Sequence, residues 1–294
     1  MKSTDIPDVL TFTRAVNGCR QAPVVLDSPH SGTIFPDDFK TDVPEMSLRR
    51  VQDSFVDELF SNAPDYGASL LRALFPRSYV DPNRAETDID TRMIDGVWPY
   101  PAAPTEKSRL GHGLIWRICP AEHSMYSERL PAEAVERRID RYWRPYHKAL
   151  ENEIERLHRD FGIVFHLNCH SMPSGSSPVV SRKSGVRRAD FVLGDRDGTT
   201  CAPVFTQFVR EWLEAAGYVV RLNDPYKGAE LVSRYASPEI GRHSLQIEIN
   251  RALYLEETSL RRTRGFEALK RDLTGLVSDL TAFADRFSLP AAAE

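Results

Sequence analysis

What the chain has little of narrows its class first. Four cysteines in 294 residues, Cys19, Cys119, Cys169 and Cys201, show no CxxC or other paired spacing. That argues against a disulfide framework or a thiolate zinc site and fits a reducing cytoplasm. No run approaches the roughly twenty apolar residues that span a bilayer, and the opening MKSTDIPDVL lacks the apolar core of a signal peptide. A soluble, unexported, cytoplasmic protein is expected. A basic stripe is missing too: acidic and basic residues are interspersed, the net charge is −4, and nucleic acid is not an expected partner. Internal repeats, low-complexity tracts and long linkers are absent, so one domain over residues 1–294 is expected. With 41% hydrophobic and 27% charged residues, the chain can bury a sizeable core, and small-molecule chemistry becomes the default.

What is present is organised around Ile163–Pro173, IVFHLNCHSMP. A short run of branched and aromatic residues, bounded by Gly162 and by Ser171, Pro173, Ser174 and Gly175, predicts a buried strand that delivers His170 to the rim of a sheet. Pro23–Leu26 repeats the design and is followed by Asp27-Ser-Pro-His30-Ser-Gly32. Ligands of open α/β sheets bind just beyond the carboxyl ends of strands, so the two histidines suggest one shared site.

Further elements follow from periodicity. A helix begins at Ser47 or after Asp53; in the second case Asp53 is its N-cap, Phe55, Val56, Leu59 and Phe60 form an apolar stripe, and Asp57 faces solvent. Strands are expected at Gly67–Leu74, at the start of Arg77–Arg84 and at Gly111–Ile118, with an irregular loop or lid over Ala85–Pro104. From Ala132 to Phe161, apolar residues recur at steps of three and four; Pro145 interrupts this helix and predicts a kink near Trp143. Ser174–Arg188 has the profile of a mobile loop, and AAAE that of a frayed tail. Phe191–Leu193 and Tyr218–Leu222 are expected strands, flanking a helix that Gly217 closes. In Ser244–Asn250, Leu245, Ile247 and Ile249 alternate with Gln246, Glu248 and Asn250. A last helix is expected from about Ser259.

A catalytic zinc takes about three nitrogen or oxygen ligands and keeps one position for water. His30 and His170 with Asp53 meet that description, although a capping role alone would explain Asp53. His166 and His170 form an HxxxH, but Leu167 stands where a zincin has its glutamate, so His166 reads as a packed sheet histidine. Glu248, a carboxylate within an apolar strand, is costly to bury unless paired or used. It is either a general base or the partner of Arg242 or Arg251.

These pieces together resemble the N-formylglutamate amidohydrolase family: PHSG at His30, DPNR at Asp81–Arg84, GLIWR at Gly113–Arg117, RYWRPYH at Arg141–His147, CHSMP at His170, LGDRDGTT through Gly194–Thr200, YKG at Tyr226–Gly228 and LQIEIN around Glu248. The resemblance implies a three-layer α/β/α fold with a central mixed, mostly parallel sheet, similar to zinc carboxypeptidases and aspartoacylases. It implies His30 and His170 as ligands of one divalent ion, zinc, Glu248 as base, and Asn83 and Arg84 as contacts for the carboxylate and carbonyl of an N-acyl amino acid. Arg84 offers the planar fork that suits bidentate carboxylate binding; a surface ion pair with Glu86 or Asp88 is the alternative. Arg117, Lys227 and Arg234 are further anion-binding candidates. The carboxypeptidase-like pattern has an acidic ligand three residues after the first histidine, where this chain has Thr33, so the third ligand is assigned to Asp53 with Asp57 as the alternative. Asn168 stands where relatives often have Asp, and Pro82 where DLNR has Leu. The implied reaction is hydrolysis of N-formylglutamate to formate and glutamate, in a histidine-degradation setting. Deacylation of another N-acyl amino acid and a metal-free binding protein remain open, as does assembly into a homo-oligomer.

Overall fold

The structure is a computed structural model and describes residues 5–16, 18–119, 123–175 and 189–288. The expected mobile loop lies, from residue 176 on, outside the described residues, as does the AAAE tail. Seven strands form the main sheet: β1 (Leu10–Thr13), β2 (Val24–Ser28), β3 (Ser69–Ala73), β4 (Val164–Met172), β5 (Phe191–Gly194), β6 (Val220–Leu222) and β7 (Arg242–Asn250). Their order is β1-β3-β2-β4-β7-β5-β6. Only the β1–β3 and β7–β5 pairs are antiparallel, so the sheet is mixed and mostly parallel, as expected.

Alternation along the central strands sorts the side chains. Val24, Leu26, Phe165, Leu167, Cys169, Leu245, Ile247 and Ile249 turn to one face. There they pack with the short helix Val56–Leu59, the helix Pro203–Ala215 and the C-terminal helix Gly265–Asp285, whose Phe266, Leu269, Leu273, Leu276, Leu280 and Phe283 form its buried stripe. The opposite face carries Asp27, His166, Asn168, His170, Gln246 and Glu248, all buried. Registers put Asp27, Asn168 and Gln246 in one row and His170 beside Glu248 in the next. No helix among the described residues is long and apolar enough to cross a membrane.

The layer over this polar face is a helix of two α-helical parts, Ala132–Arg138 and Arg144–Phe161, joined by a π-helical turn at Ile139–Trp143. The expected kink is this turn. Pro145, at the start of the second part, has no N–H to return to the preceding turn, and the Arg144 N–H reaches back five residues to the Ile139 carbonyl instead. Gly162, at φ +73°, ends the helix in the left-handed region that only glycine enters freely.

Several expectations fail locally. Asp53 caps nothing: Glu45–Arg50 forms one short helix and Val56–Leu59 another, whose cap is Phe55 at φ +64°. Arg77–Arg84 is a series of turns with no strand. Gly111–Ile118 also turns rather than extends, because the Arg117 and Ile118 N–H groups both bond the Gly111 carbonyl. The last helix starts at Gly265 rather than near Ser259, since Arg261–Arg262 pairs with Leu255–Glu256 in a two-stranded ribbon.

Glu153 ties the helical layer to the sheet edge. Its buried carboxylate accepts from Arg14 Nε (2.9 Å), Arg156 Nη2 (2.6 Å) and Ser69 Oγ (2.6 Å). Burial pulls the carboxyl pKa up, yet Arg156, Ser69 and Arg14 together hold it below the usual value. Glu153→Ala strands two arginines and is expected to destabilise the fold by about 3 kcal/mol. Urea unfolding of the variant measures this; a change near zero would mean that the cluster is solvated.

Candidate metal centre

The turn after β2 brings His30 to the sheet rim, and backbone ties bring Asp53 to it. The Asp53 N–H donates to the His30 carbonyl (3.0 Å), and Ser31 Oγ donates to the Asp53 carbonyl (2.8 Å). Gly32 is required next: a Cβ there would sit 2.3–2.5 Å from the backbone of Leu74 and Phe75. His170 arrives on β4, its ring centroid 4.7 Å from that of His30.

Three donor atoms converge. Nδ1 of His30 and Nδ1 of His170 lie 3.4 and 2.9 Å from Asp53 Oδ2, and one atom from each residue falls within 4.8 Å of the others. All three residues are buried. Outer partners leave these atoms available. His30 Nε2 donates to Asp81 Oδ1 (2.7 Å) and His170 Nε2 to Asn168 Oδ1 (2.8 Å), which places both lone pairs on Nδ1. Arg251 Nη2 donates to Asp53 Oδ1 (3.1 Å), leaving Oδ2 facing the imidazoles. Nδ1 of His30 is buried without a hydrogen-bond partner, an orphan that a cation would satisfy. Two imidazoles, one carboxylate and histidines backed by oxygen acceptors suit zinc and similar divalent ions.

The charge pattern follows from these contacts. Burial raises the Asp53 carboxyl, but the imidazoles of His170 and His30 beside it outweigh that and hold the group well below the ordinary range. Asp81 behaves alike, held down by Arg77, His30 and Arg84. Glu248 goes the other way. Burial first, then the Asp53 carboxylate, push it up to about 8 against the pull of Arg77 and Arg251. Its Oε1 accepts from Gln246 (2.9 Å), and neither Arg242 nor Arg251 forms an ion pair with it. Asp57, the alternative ligand, is outside the group; its side chain is half-buried and its carboxyl raised by burial.

The structure brings Asn83 to the same place. Its Nδ2 is 3.1 Å from His170 Nε2, and its Oδ1 accepts from the Leu231 N–H (3.0 Å). With the Nε2 proton given to Asn168, the Asn83 amide hydrogens face a donor and remain to be used elsewhere. Arg84 is half-buried and donates from Nε to the His112 carbonyl (3.0 Å) and from Nη1 to that of Asn83 (2.8 Å), so it is no surface ion pair. Arg117 and Lys227 are engaged by carboxylates, Arg117 with Asp90 (3.1 Å) and Lys227 with Asp197 (2.7 Å). Arg234 is paired with Glu230 (2.8 Å).

Sequence reasoning missed Arg77. It donates twice to Asp81 Oδ2, from Nη2 (2.9 Å) and Nε (3.2 Å), and lies over the Trp116 ring at 5.3 Å. Asp53 and Glu248 both act on its charge. Its only local signal is an Arg four residues before Asp81, in a turn-rich segment.

A family model described as N-formylglutamate amidohydrolase matches residues 22–255. N-formylglutamate deformylase of Pseudomonas putida is 29% identical over 241 residues, 80% of this chain and 83% of the relative. That of Pseudomonas aeruginosa is 28% identical over 254 residues, 85% and 86% of the two chains. The crystal structure of N-formylglutamate amidohydrolase from Ralstonia eutropha JMP134 superposes with a TM-score of 0.88 at 47% identity, covering 94% of this chain and 98% of that one. The gene product Atu2144 of Agrobacterium tumefaciens, at 18% identity and a TM-score of 0.65, shares the fold. On the family match and on the Ralstonia likeness, this chain belongs to the N-formylglutamate amidohydrolase family.

Proposed function

We propose that the protein hydrolyses the formyl amide of N-formyl-L-glutamate to formate and glutamate, with one divalent ion, zinc, held by His30, Asp53 and His170. The observation that carries this reading is the buried His-Asp-His group with an unpartnered imidazole nitrogen, set beside an elevated carboxyl at Glu248 in a chain of this family. When bound, such an ion polarises the scissile carbonyl and lets water attack near neutral pH.

The chain's own groups do the rest. Glu248 takes the proton of the attacking water as its oxygen bonds the formyl carbon, then delivers that proton to the amine nitrogen as the C–N bond breaks. An acid elevated by burial is suited to both halves of this exchange, and Arg77 and Arg251 pull it toward the carboxylate form that accepts. Arg77, held on Asp81 and Trp116, supplies positive charge for the oxygen that becomes negative. Asn83, whose amide hydrogens are not taken up by His170, and Arg84, whose guanidinium plane is fixed by two carbonyls, receive a substrate carboxylate. Arg117 and Lys227 join them by exchanging Asp90 and Asp197 for substrate oxygens. Glutamate's two carboxylates give these cations their use.

Formate release from a panel of N-formyl amino acids tests the reading. N-formylglutamate is expected to be turned over best and chelator to stop it; release of formate from none of them would refute the assignment. Glu248→Gln is expected to lower kcat by roughly 10²–10⁴ while metal content stays the same. An unaltered rate would remove Glu248 from the chemistry.

A further inference from the structure

Two backbone carbonyls flank Asn83, those of Pro82 and Arg84, and one pair of stacked rings holds both. His147 Nε2 donates to the Pro82 carbonyl (2.8 Å) and Trp143 Nε1 to the Arg84 carbonyl (3.0 Å). The two rings lie face to face, 3.7 Å between centroids and 24° between planes, one helical turn apart. Tyr235 Oη donates to His147 Nδ1 (2.7 Å), which puts the imidazole proton on Nε2, where the Pro82 carbonyl needs it. Tyr235 closes the short helix Glu230–Tyr235, and Leu231 of that helix donates its N–H to Asn83 Oδ1. The Asn83–Arg84 pair is thus gripped through its backbone by one helix and through its side chain by another.

The π-helical turn gives this grip its aim. Trp143 is the last residue of the turn and His147 lies in the helix after it. One extra residue in a turn rotates everything that follows by about 100° relative to the helix before it. Val135 and Arg138 therefore bury against the Phe39, Tyr79 and Tyr126 side of the core, while Trp143 and His147 face the Asp81–Arg84 turn.

Resting on the function proposed above, we propose that His147, stacked on Trp143, is a positioning residue for the Asn83–Arg84 substrate clamp, and that the π-helical turn exists to aim it. Neither ring hydrogen-bonds with His30, Asp53, His170 or Glu248 among the described residues. Its effect should therefore fall on substrate binding rather than on the chemical step. Burial drives the His147 imidazole down to about 3, so Nδ1 stays an acceptor for Tyr235 and the grip holds at working pH.

His147→Phe keeps the stacked ring and removes the donor; His147→Gln returns an N–H near the Nε2 position. Kinetics on N-formylglutamate, metal content and deuterium exchange of the 79–89 segment are read for each. Expected for His147→Phe are a KM about tenfold higher, kcat within twofold, unchanged metal content and faster exchange over 79–89, with His147→Gln recovering most of both losses. A KM and an exchange rate that do not move, or a fall in kcat alone, would overturn the role, as would failure of the glutamine to recover anything. If the His147→Phe chain does not fold, Tyr235→Phe removes only the hydroxyl that sets the tautomer, and the same pattern is expected at smaller size; an unmoved KM there overturns the role. If the wild-type chain releases no formate from N-formylglutamate, the functional proposal falls by itself. Exchange over 79–89 then decides the positioning claim alone, and equal rates in the wild type and His147→Phe reject it.

Discussion

A carboxylate as deeply buried as that of Asp53, 2% exposed, persists in ionised form only where positive charge or hydrogen-bond donors surround it. Here Arg251 takes one oxygen, and two imidazoles face the other. Arg251 is itself anchored by the carbonyls of Arg50 and Gln52 and by Ser171, so the carboxylate's direction is set by residues from three separate parts of the chain. Every feature of the site depends on this constraint. It holds the ligand atoms together, adds the negative potential that raises Glu248, and tightens the loop that carries His30.

The same logic extends along the polar face of the sheet. Asp27 accepts from His166 (2.8 Å), Asn168 (2.7 Å) and Tyr146 (2.7 Å), and His166 continues to Ser244 (2.5 Å). The Asp27 carboxyl lies below its usual value: burial raises it, but His166, Asn168 and Tyr146 win. Because Asn168 donates from its amide nitrogen to Asp27, its oxygen is turned to His170. An aspartate at this position would face Asp27 with a second charge. The asparagine therefore suits its neighbour and still accepts from His170.

What was legible in the sequence was whatever strand periodicity and strand ends encode. His170 and Glu248 stood out because alternation puts them on a polar face inside apolar strands, and the structure sets them side by side. His30 stood out because an apolar run stops just before it. For Asp53 the local sequence offers a helix cap, a role it does not have, since helix-capping statistics describe the chain near it and not the imidazoles and Arg251 that reach it from far along the sequence. Arg77 and Arg251 gave no periodic signal; their meaning lies in contacts with Asp81, Trp116, Asp53 and Ser171 that only the fold creates. Gly111–Ile118 looked extended because its composition is strand-like, yet two N–H groups returning to one glycine carbonyl make it a turn. The π-helical turn was visible only as a proline inside a helical pattern; the sequence marks where the helix must adjust, not the manner in which it does so.

The central claim is that Asp53 joins His30 and His170 around one divalent ion. Its most direct test is equilibrium dialysis of the purified chain against zinc, beside Asp53→Ala with folding checked by circular dichroism. The account predicts one tightly held zinc per wild-type chain and its loss from the variant. Equal zinc in both, or none in the wild type, would contradict it.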